Sequence, residues 1–390
     1  MSDQDGTQAK AVQRPTNNDD WRWMLYWEQQ EQPWRTDPEI DDERQKYLGD
    51  RRNIRMNAQL NIYPFGGIKL GRADVEWLLA THENGCGPVD LRDEGQCERK
   101  GLDLRYADLD HADLLFLPLS GTDFSYAHLE NADLSTAFLG NANLSNAHME
   151  GANLIYASLE GANLYNAFFD STTRLDGVFL SGEKMGAAKF TDVHWGDVNL
   201  AVVDWSTVSV SGEESVARIL ENVKRAKTDL RTLEMHRGFF QMAARGYRQL
   251  SVALNNQGIS EDANRFAYRA QLMQRKLFWH EGKILRYLGS LSLALLTGYG
   301  YKPLRSFLAY LIVILAFATA YFIIGHTVGP ALSPLGSVVF SMTSFHGRGF
   351  FPGGITLDDP LTVLAALEAF VGLLIEVTFI ATLTRRLFGG

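Results

Sequence analysis

The sequence predicts a multidomain chain that consists of a repeat domain, an α-helical linker and a membrane domain with two spanning helices. Three observations predict this organisation: large apolar residues recur at every fifth position in the middle of the chain, helical patterns follow, and two long apolar runs lie near the end. The predicted boundaries are a polar, disordered segment over 1–20, a capping region over 21–99, the repeats over 100–210, the linker over 211–300 and the membrane domain over 301–390. A chain of 390 residues has room for these parts.

The composition excludes some classes of function. A net charge of −9 leaves no broad basic surface for phosphates, so we expect no nucleic-acid binding. The two cysteines, Cys86 and Cys97, are predicted to be reduced thiols because no Cys/His cluster with metal-ligand spacing accompanies them. No Ser/His/Asp set can be assembled either. We therefore expect no enzyme, no catalytic residue, no cofactor and no metal site.

The first hundred residues are predicted to cap the repeats. Residues 1–20 are polar and have no signal-peptide pattern, so we expect the bulk of the chain to stay in the cytoplasm. Aromatic residues such as Trp21 and Trp34 follow, and they are expected to close the end of the repeat domain. Helical spacing over 72–82 predicts a short helix in this region.

The strongest periodicity in the chain has a period of five. Large apolar residues occupy every fifth position from Leu104 to Phe169, and alanine dominates two positions before them. After one inserted residue the register resumes at Leu175 and continues through Met185 to Trp205. A period of five fits neither an α-helix nor a β-strand. The triplet Ala-Asp-Leu or Ala-Asn-Leu recurs at positions 107, 132, 142, 152 and 162.

This motif resembles the pentapeptide-repeat family. The resemblance implies a right-handed, quadrilateral β-helix in which each repeat forms one side, with the Leu and Ala side chains inside. Twenty-one repeats would form about five coils at about 4.8 Å per coil. We expect a rigid module for assembly or regulation, or for binding a cytoplasmic protein partner or ligand. The irregular face near Asp170–Arg174 is the expected place for that contact.

Helical patterns predict the linker. Residues 213–236 have the spacing of an amphipathic helix, and helices over 239–256 and 260–286 follow as a pair with a turn at Asn255–Gly258. The pair resembles a tetratricopeptide-type hairpin. An apolar run over 285–296 then predicts a helix at the membrane interface, which ends at the turn Thr297–Gly300.

Two apolar runs, Pro303–His326 and Leu361–Thr384, predict an outer helix over 303–326 and an inner helix over 361–386. Each run is long enough, at about 1.5 Å per residue, to cross a hydrocarbon core of about 30 Å. Basic residues flank the outer ends of the pair and orient both ends towards the cytoplasm: Lys302, Arg305, Arg385 and Arg386. We therefore expect a multi-pass protein of the bacterial inner (plasma) membrane with cytoplasmic N- and C-termini.

The segment between the two runs has the pattern of a re-entrant loop. Ser333 and Pro334 predict the start of a short apolar helix over 333–344, and a glycine-broken strip over 345–352 follows. Irregular backbone at membrane depth is stable only where protein buries it or where it lines water. Together with its flanking spans, this segment resembles the pore of two-span, tetrameric ion channels of the potassium-channel superfamily.

The resemblance implies a homotetramer that conducts monovalent cations, K⁺ or Na⁺, past the backbone carbonyls of a selectivity filter. Gly347 and Gly349 match the two filter glycines of the family, whereas Phe345, His346 and Arg348 depart from its pattern. The predicted filter comprises Thr343, Ser344, Phe345, His346, Gly347, Arg348 and Gly349. If Arg348 pointed into the pathway, its positive charge would repel cations, so an anion-selective channel stays open as an alternative.

Three residues of the inner helix complete the predicted site. Gly372 matches the family's hinge glycine, and Glu376 matches an acidic residue that faces the water-filled cavity. An ionisable residue at membrane depth is expected to face protein or water, so we expect Glu368 to pair with a buried Arg348 behind the filter. The alternative partners for that arginine are Asp358 and Asp359. A membrane-anchored scaffold that does not conduct is the second hypothesis, and conductance separates it from a channel.

Overall fold

The computed structural model describes residues 14–15, 20–96, 98–224, 230–299, 303–327, 331–347 and 359–388. The chain forms two compact units, Met1–Asp262 and Ala263–Gly390, whose boundary falls inside the predicted linker. Most of the predicted disordered segment over 1–20, together with Cys97, lies outside the described residues. Within the described ranges there are ten α-helices, named in chain order as follows: α1 Asp20–Gln29, α2 Asp42–Arg52, α3 Arg72–Ala80, α4 Gly212–Lys224, α5 Leu230–Asn256, α6 Ser260–His280, α7 Ile284–Thr297, α8 Pro303–Thr327, α9 Pro334–Phe345 and α10 Pro360–Phe388.

The chain before the repeats adds a rung to the first coil. Lys69 forms a parallel bridge with Asp108, and the Leu70 N–H donates to the Asp108 carbonyl at 2.9 Å. The helix α3 that follows is held by buried charge pairs, including Arg72 to Glu76 at 2.8 Å. An uncovered coil end would present unpaired backbone groups to other chains. The added rung removes that edge.

The repeats form a coil with a period of 20 residues. Parallel bridges join Asp103 to Asp123 and Asp123 to Asn143, and the Asn143 side-chain amide donates to Asp123 across a separation of 20 positions. Four repeats of five therefore complete one coil. The repeated Leu and Ala side chains, such as Leu134 and Ala137, are fully buried inside it. These observations confirm the predicted β-helix.

Each corner of the coil contains a residue with left-handed backbone. Tyr106 has φ of 59° and Phe116 has φ of 61°, a conformation that bulky residues rarely adopt. Stacking of the same corner on successive coils offsets the strain: the Tyr106 and Tyr126 rings lie parallel with centroids 4.7 Å apart. The five-residue pattern alone did not reveal this requirement, since the corner positions vary in residue type.

The register after Phe169 differs from the prediction. Asn153 pairs with Arg174, so this coil is one residue longer than the regular coils, as the inserted residue predicts. Asn163 pairs with Lys189, so the chain between these two residues contains five residues more than the prediction allows. The extra residues form a hairpin of two short antiparallel strands, β1 Ser181–Gly182 and β2 Gly186–Ala187. Met185 therefore lies in this hairpin and not in the coil interior, so its predicted inward position is wrong.

Helices α4 and α5 pack on the last coil. The Glu213 carboxylate accepts hydrogen bonds from the backbone N–H groups of Phe190 and Thr191, at 2.7 and 2.8 Å. The Tyr247 hydroxyl donates to Glu214 at 2.6 Å, and burial, reinforced by the Glu214 charge, raises the pKa of that hydroxyl. Of the amphipathic helix predicted over 213–236, residues 213–224 belong to α4 and residues 230–236 to α5, and residues 225–229 lie outside the described residues.

The second unit contains α7 and a group of three apolar helices. Helix α7 ends at Thr297, where Gly298 adopts the left-handed conformation that terminates helices. Helices α8 and α10 are long and apolar enough to cross a membrane, over Phe307–Thr327 and Pro360–Ala381. Helix α9 contacts both of them. Two small apolar clusters form at these contacts, one around Tyr321 and Phe340 and one around Ile314 and Phe345.

Candidate functional site

Helix α9 begins with a cap that its sequence encodes. The Ser333 hydroxyl accepts a hydrogen bond from the Gly336 N–H at 3.0 Å, and Pro334 occupies the first turn, where a missing N–H costs nothing. The helix then runs from Pro334 to Phe345. It thus starts and ends one residue later than the pore helix that the sequence predicts over 333–344.

The first part of the predicted filter is helical. Thr343, Ser344 and Phe345 form the last turn of α9, and the side chains of Ser344 and Phe345 are buried. Thr343 and Ser344 were predicted within the short helix over 333–344, whereas Phe345, predicted as the first residue of the strip over 345–352, is helical. His346 follows as the C-terminal cap, and Gly347 has a left-handed φ of 67°. Arg348 and Gly349 lie outside the described residues.

Glu368 lies in a buried group of hydroxyls. Its side chain is fully buried, and it accepts hydrogen bonds from the Tyr321 hydroxyl at 2.7 Å and from the Ser341 hydroxyl. The Ser341 oxygen is also 3.0 Å from the Ile314 carbonyl. A serine hydroxyl has one proton, so it can serve one of these two acceptors at a time. The partner predicted for Glu368, Arg348, lies outside the described residues, and the partners that the structure gives it are hydroxyls.

Ser341, which bonds to Glu368, is one of three serines on a buried face of α9. Ser337, Ser341 and Ser344 are spaced four and three residues apart, so they share one face of the helix, and all three are buried. This polar face is directed into the unit, whereas Leu335, Val339 and Met342 on the same helix are exposed. A helix with apolar side chains outside and hydroxyls inside is typical of membrane proteins, where buried polar groups bond to one another.

Gly372 lies where α9 and α10 approach most closely. A Cβ atom at this position would be 2.1 Å from the Phe345 carbonyl oxygen and 3.0 Å from the Phe345 ring. Helix α10 runs through Gly372 without interruption, from Pro360 to Phe388. The structure therefore shows that Gly372 allows close packing of α9 on α10. The sequence predicted a hinge at this position and not a packing contact.

Glu376 and His346 are brought together across 30 positions of sequence. The His346 Nδ1 atom is hydrogen-bonded to the Glu376 carboxylate, and His346 Nε2 is 3.3 Å from the Tyr310 hydroxyl. About two fifths of each side chain is exposed, with 41% for His346 and 37% for Glu376. The pair borders an open cavity of about 520 Å³ whose other lining residues are Phe307, Tyr310, Ile375, Phe379 and Ile380.

This pairing joins two residues that the sequence predicts for separate parts of a pore. His346 was expected in the filter and Glu376 in the cavity below it. A carboxylate beside an imidazole in an open cavity can attract cations and can exchange a proton with water. No signal in the sequence indicates the pair, because the two residues lie on different helices.

Comparison with protein families identifies the repeats. The model of the family of pentapeptide repeats matches residues 100–141 and 137–170 in eight copies. The chain contains a pentapeptide-repeat domain. The match to this family does not extend to the helices α8, α9 and α10, and no comparison supports the resemblance of that region to potassium channels. A search of the curated proteins found no match.

Solved structures of other pentapeptide-repeat proteins resemble part of the chain. HetL, which is involved in heterocyst differentiation regulation in the cyanobacterium Nostoc sp., is 29% identical over 24% of this chain and 37% of its own, with a TM-score of 0.14. Rfr23 of the cyanobacterium Cyanothece is 29% identical over 24% of this chain and 60% of its own, with a TM-score of 0.14. A protein of the Arabidopsis thaliana thylakoid lumen is 20% identical over 31% of this chain and 74% of its own, with a TM-score of 0.19. The chain thus spans less than two thirds of the first two.

Proposed function

We propose that this pentapeptide-repeat protein is a membrane-anchored ion channel, in which α8 and α10 span the bilayer. The exposure of these two helices supports the anchor. Only 17% of the apolar window of α8 and 22% of that of α10 is buried. Helices of this length in the core of a soluble protein are mostly buried, whereas lipid would cover the exposed side chains here.

The proposed assembly is a homotetramer. Helix α9 has an exposed apolar face that consists of Leu335, Val339 and Met342. If α8 and α10 span the bilayer, α9 between them would lie at membrane depth. In a four-fold arrangement this face would pack against the neighbouring subunit, and the four copies of the Glu376 cavity would surround one axis. The pentapeptide-repeat domain would then lie in the cytoplasm, at the inner face of the plasma membrane, as a rigid module for assembly, regulation or partner binding.

The pairing of Glu376 with His346 is the observation that carries the channel proposal. An exposed carboxylate inside an apolar, membrane-spanning helix is costly in lipid and favourable beside water. Four such carboxylates would attract monovalent cations, K⁺ or Na⁺, into the cavity. His346 caps α9 and directly precedes Gly347, the first of the two predicted filter glycines, so it would link the charge of the cavity to the proposed filter.

Ion flux through liposomes tests the proposal. The purified full-length protein is reconstituted, and K⁺ efflux is followed with a potassium-sensitive dye for wild type and for Glu376→Gln. We expect efflux with wild type and a several-fold lower rate with Glu376→Gln. Glu281→Gln provides the control, because Glu281 lies before α7 and pairs with Lys283 instead. Equal rates for wild type and Glu376→Gln would exclude Glu376 from the pathway.

A non-conducting membrane scaffold is the second candidate. The helical conformation of Phe345 favours it, because it leaves one residue fewer for the strip over 345–352 than the sequence predicts. The anion-selective alternative depends on the direction of Arg348, and a chloride flux under the same conditions would support it. A protein that inserts into liposomes but passes neither ion would support the scaffold.

A further inference from the structure

A column of histidines and glutamates follows one side of the pentapeptide-repeat domain. His128 and His148 pair as neighbours on successive coils, and their rings stack with centroids 5.4 Å apart. Two positions after each histidine is a glutamate, Glu130 or Glu150. The His128 Nδ1 atom is 3.0 Å from a Glu130 oxygen, and the His148 Nδ1 atom is 3.4 Å from a Glu150 oxygen. The coil period therefore stacks two His/Glu pairs directly above each other.

Three of these residues converge on one point. One ligand atom from each of Glu130, His148 and Glu150 lies within 4.8 Å of the other two. The backbone that carries them is rigid, because backbone hydrogen bonds join successive coils. For example, the Asn131 N–H donates to the Glu150 carbonyl at 2.9 Å. The side chains are partly exposed, at 30% for Glu130 and 35% for Glu150. They can therefore rotate without disturbing the core.

The two carboxylates each leave one oxygen without a hydrogen bond. The Oε2 atoms of Glu130 and Glu150 are inaccessible to solvent and have no donor among the described residues. Within the same part of the chain, the histidines are the sole ion-pair partners of these glutamates. A buried carboxylate oxygen without a donor is unfavourable, and two carboxylates on adjacent coils repel each other. A bound cation would relieve both effects.

We propose that Glu130, His148 and Glu150 bind a divalent transition metal, with zinc as the best fit. One imidazole nitrogen and two carboxylate oxygens are a ligand set that zinc accepts, at about 2.0–2.2 Å from each atom. Calcium and magnesium prefer oxygen ligands alone. His128 is a positioning residue, because its contact with Glu130 orients that carboxylate. A fourth position stays open for water or for a group from a partner.

The ligand spacing explains why a search for linear metal motifs misses this site. Two of the proposed ligands, His148 and Glu150, lie on one coil, and the third lies on the coil before it. They meet only because four repeats close each coil. The proposal concerns the repeat domain and is independent of the proposed channel.

Metal binding to the full-length protein tests the proposal. The purified protein is stripped with a chelator and dialysed against Zn²⁺, and bound zinc is counted per chain. Co²⁺ is then substituted, and its visible absorption reports the coordination geometry. We expect one zinc per chain for wild type. The double variant Glu130→Gln/Glu150→Gln should lose about 100-fold or more in zinc affinity, since two of three protein ligands lose their charge.

Controls separate ligation from folding. His82→Ala should bind zinc like wild type, because His82 lies before the repeats and its ring nitrogen contacts the Lys100 carbonyl instead. Thermal unfolding in chelator should give the same midpoint for all variants, and zinc should raise the midpoint of wild type and His82→Ala alone. If the double variant is less stable in chelator, His148→Gln replaces it and should show the same loss. The proposal would be overturned if wild type bound no zinc. It would also be overturned if Glu130→Gln/Glu150→Gln and His148→Gln bound zinc as tightly as wild type.

Discussion

Replacing Gly372 with alanine tests the packing of α9 on α10. The added methyl group would lie 2.1 Å from the Phe345 carbonyl oxygen, whereas carbon and oxygen normally approach to about 3.3 Å. The two helices would have to separate by roughly 1.2 Å to restore that contact distance. The obstacle is a backbone atom, so no change of side-chain rotamer can relieve it.

The expected loss follows from two opposing effects. Forcing an extra carbon into a packed interface costs about 1–3 kcal/mol. Alanine in the middle of a helix recovers up to about 1 kcal/mol relative to glycine. We therefore expect Gly372→Ala to lower the free energy of unfolding by up to about 2 kcal/mol relative to wild type, and by about 1–3 kcal/mol relative to a glycine-to-alanine change in a helix that meets no clash. A glycine that served solely as a hinge would give the opposite sign, because alanine would stiffen and stabilise the helix.

The assay is thermal unfolding of the full-length protein in detergent, followed by helical circular dichroism. Gly289→Ala is the matched control, since Gly289 lies within α7 and a Cβ there would meet no atom within 4 Å. We expect the control to be as stable as wild type or slightly more stable. If Gly372→Ala matched the control, the close approach of α9 to α10 would be refuted.

Substitutions at two further positions, Glu368 and Asp170, test polar groups. Glu368→Gln should leave the second unit nearly as stable as wild type, because an amide can still bond to the hydroxyls of Tyr321 and Ser341. Glu368→Leu should cost about 1–3 kcal/mol, because it leaves the Tyr321 hydroxyl without its acceptor, whereas Ser341 can still donate to the Ile314 carbonyl. Equal unfolding midpoints of the two variants in detergent would contradict this. Burial raises the pKa of Asp170, but hydrogen bonds from Thr172, Gly151 and Thr173 outweigh it and hold the pKa below its ordinary value. A carboxyl whose pKa is lower in the folded state than in the unfolded state stabilises the fold at pH values above its unfolded pKa, and this stabilisation is lost as the pH falls through its folded pKa. Asp170→Asn should therefore be about 1 kcal/mol less stable than wild type at pH 7, and the two proteins should become equally stable in acid. A difference that persists unchanged at pH 2 would refute the role of the charge.

The sequence predicted the β-helix because its information is local. Each repeat supplies the same inward Leu and Ala, so the period determines which side chains are buried without knowledge of distant contacts. The hairpin at β1 and β2 escaped prediction for the same reason. Met185 keeps the five-residue period, but the chain leaves the coil there and Met185 packs against Gly140 from outside, where a Cβ on Gly140 would lie 2.3 Å from the Met185 sulfur.

The candidate site shows where pattern reasoning ends. The spacing of Glu368, Gly372 and Glu376 on one helix indicated that this face matters, but not what it contacts. Glu368 bonds to Tyr321 across 47 positions and Glu376 bonds to His346 across 30. Such partners are fixed by how helices pack in three dimensions, which a single sequence does not encode as a pattern.

The measurement that tests the channel proposal most directly is the reversal potential of single channels. The purified protein is placed in a planar bilayer with a KCl gradient, and K⁺ is then replaced by Na⁺ on one side. We predict openings whose current reverses near the Nernst potential of the cation, with a smaller conductance in Glu376→Gln. Reversal near the chloride potential would mean that Arg348 faces the ions, and a protein that inserts but gives no openings under any gradient would contradict the proposal that this membrane unit conducts.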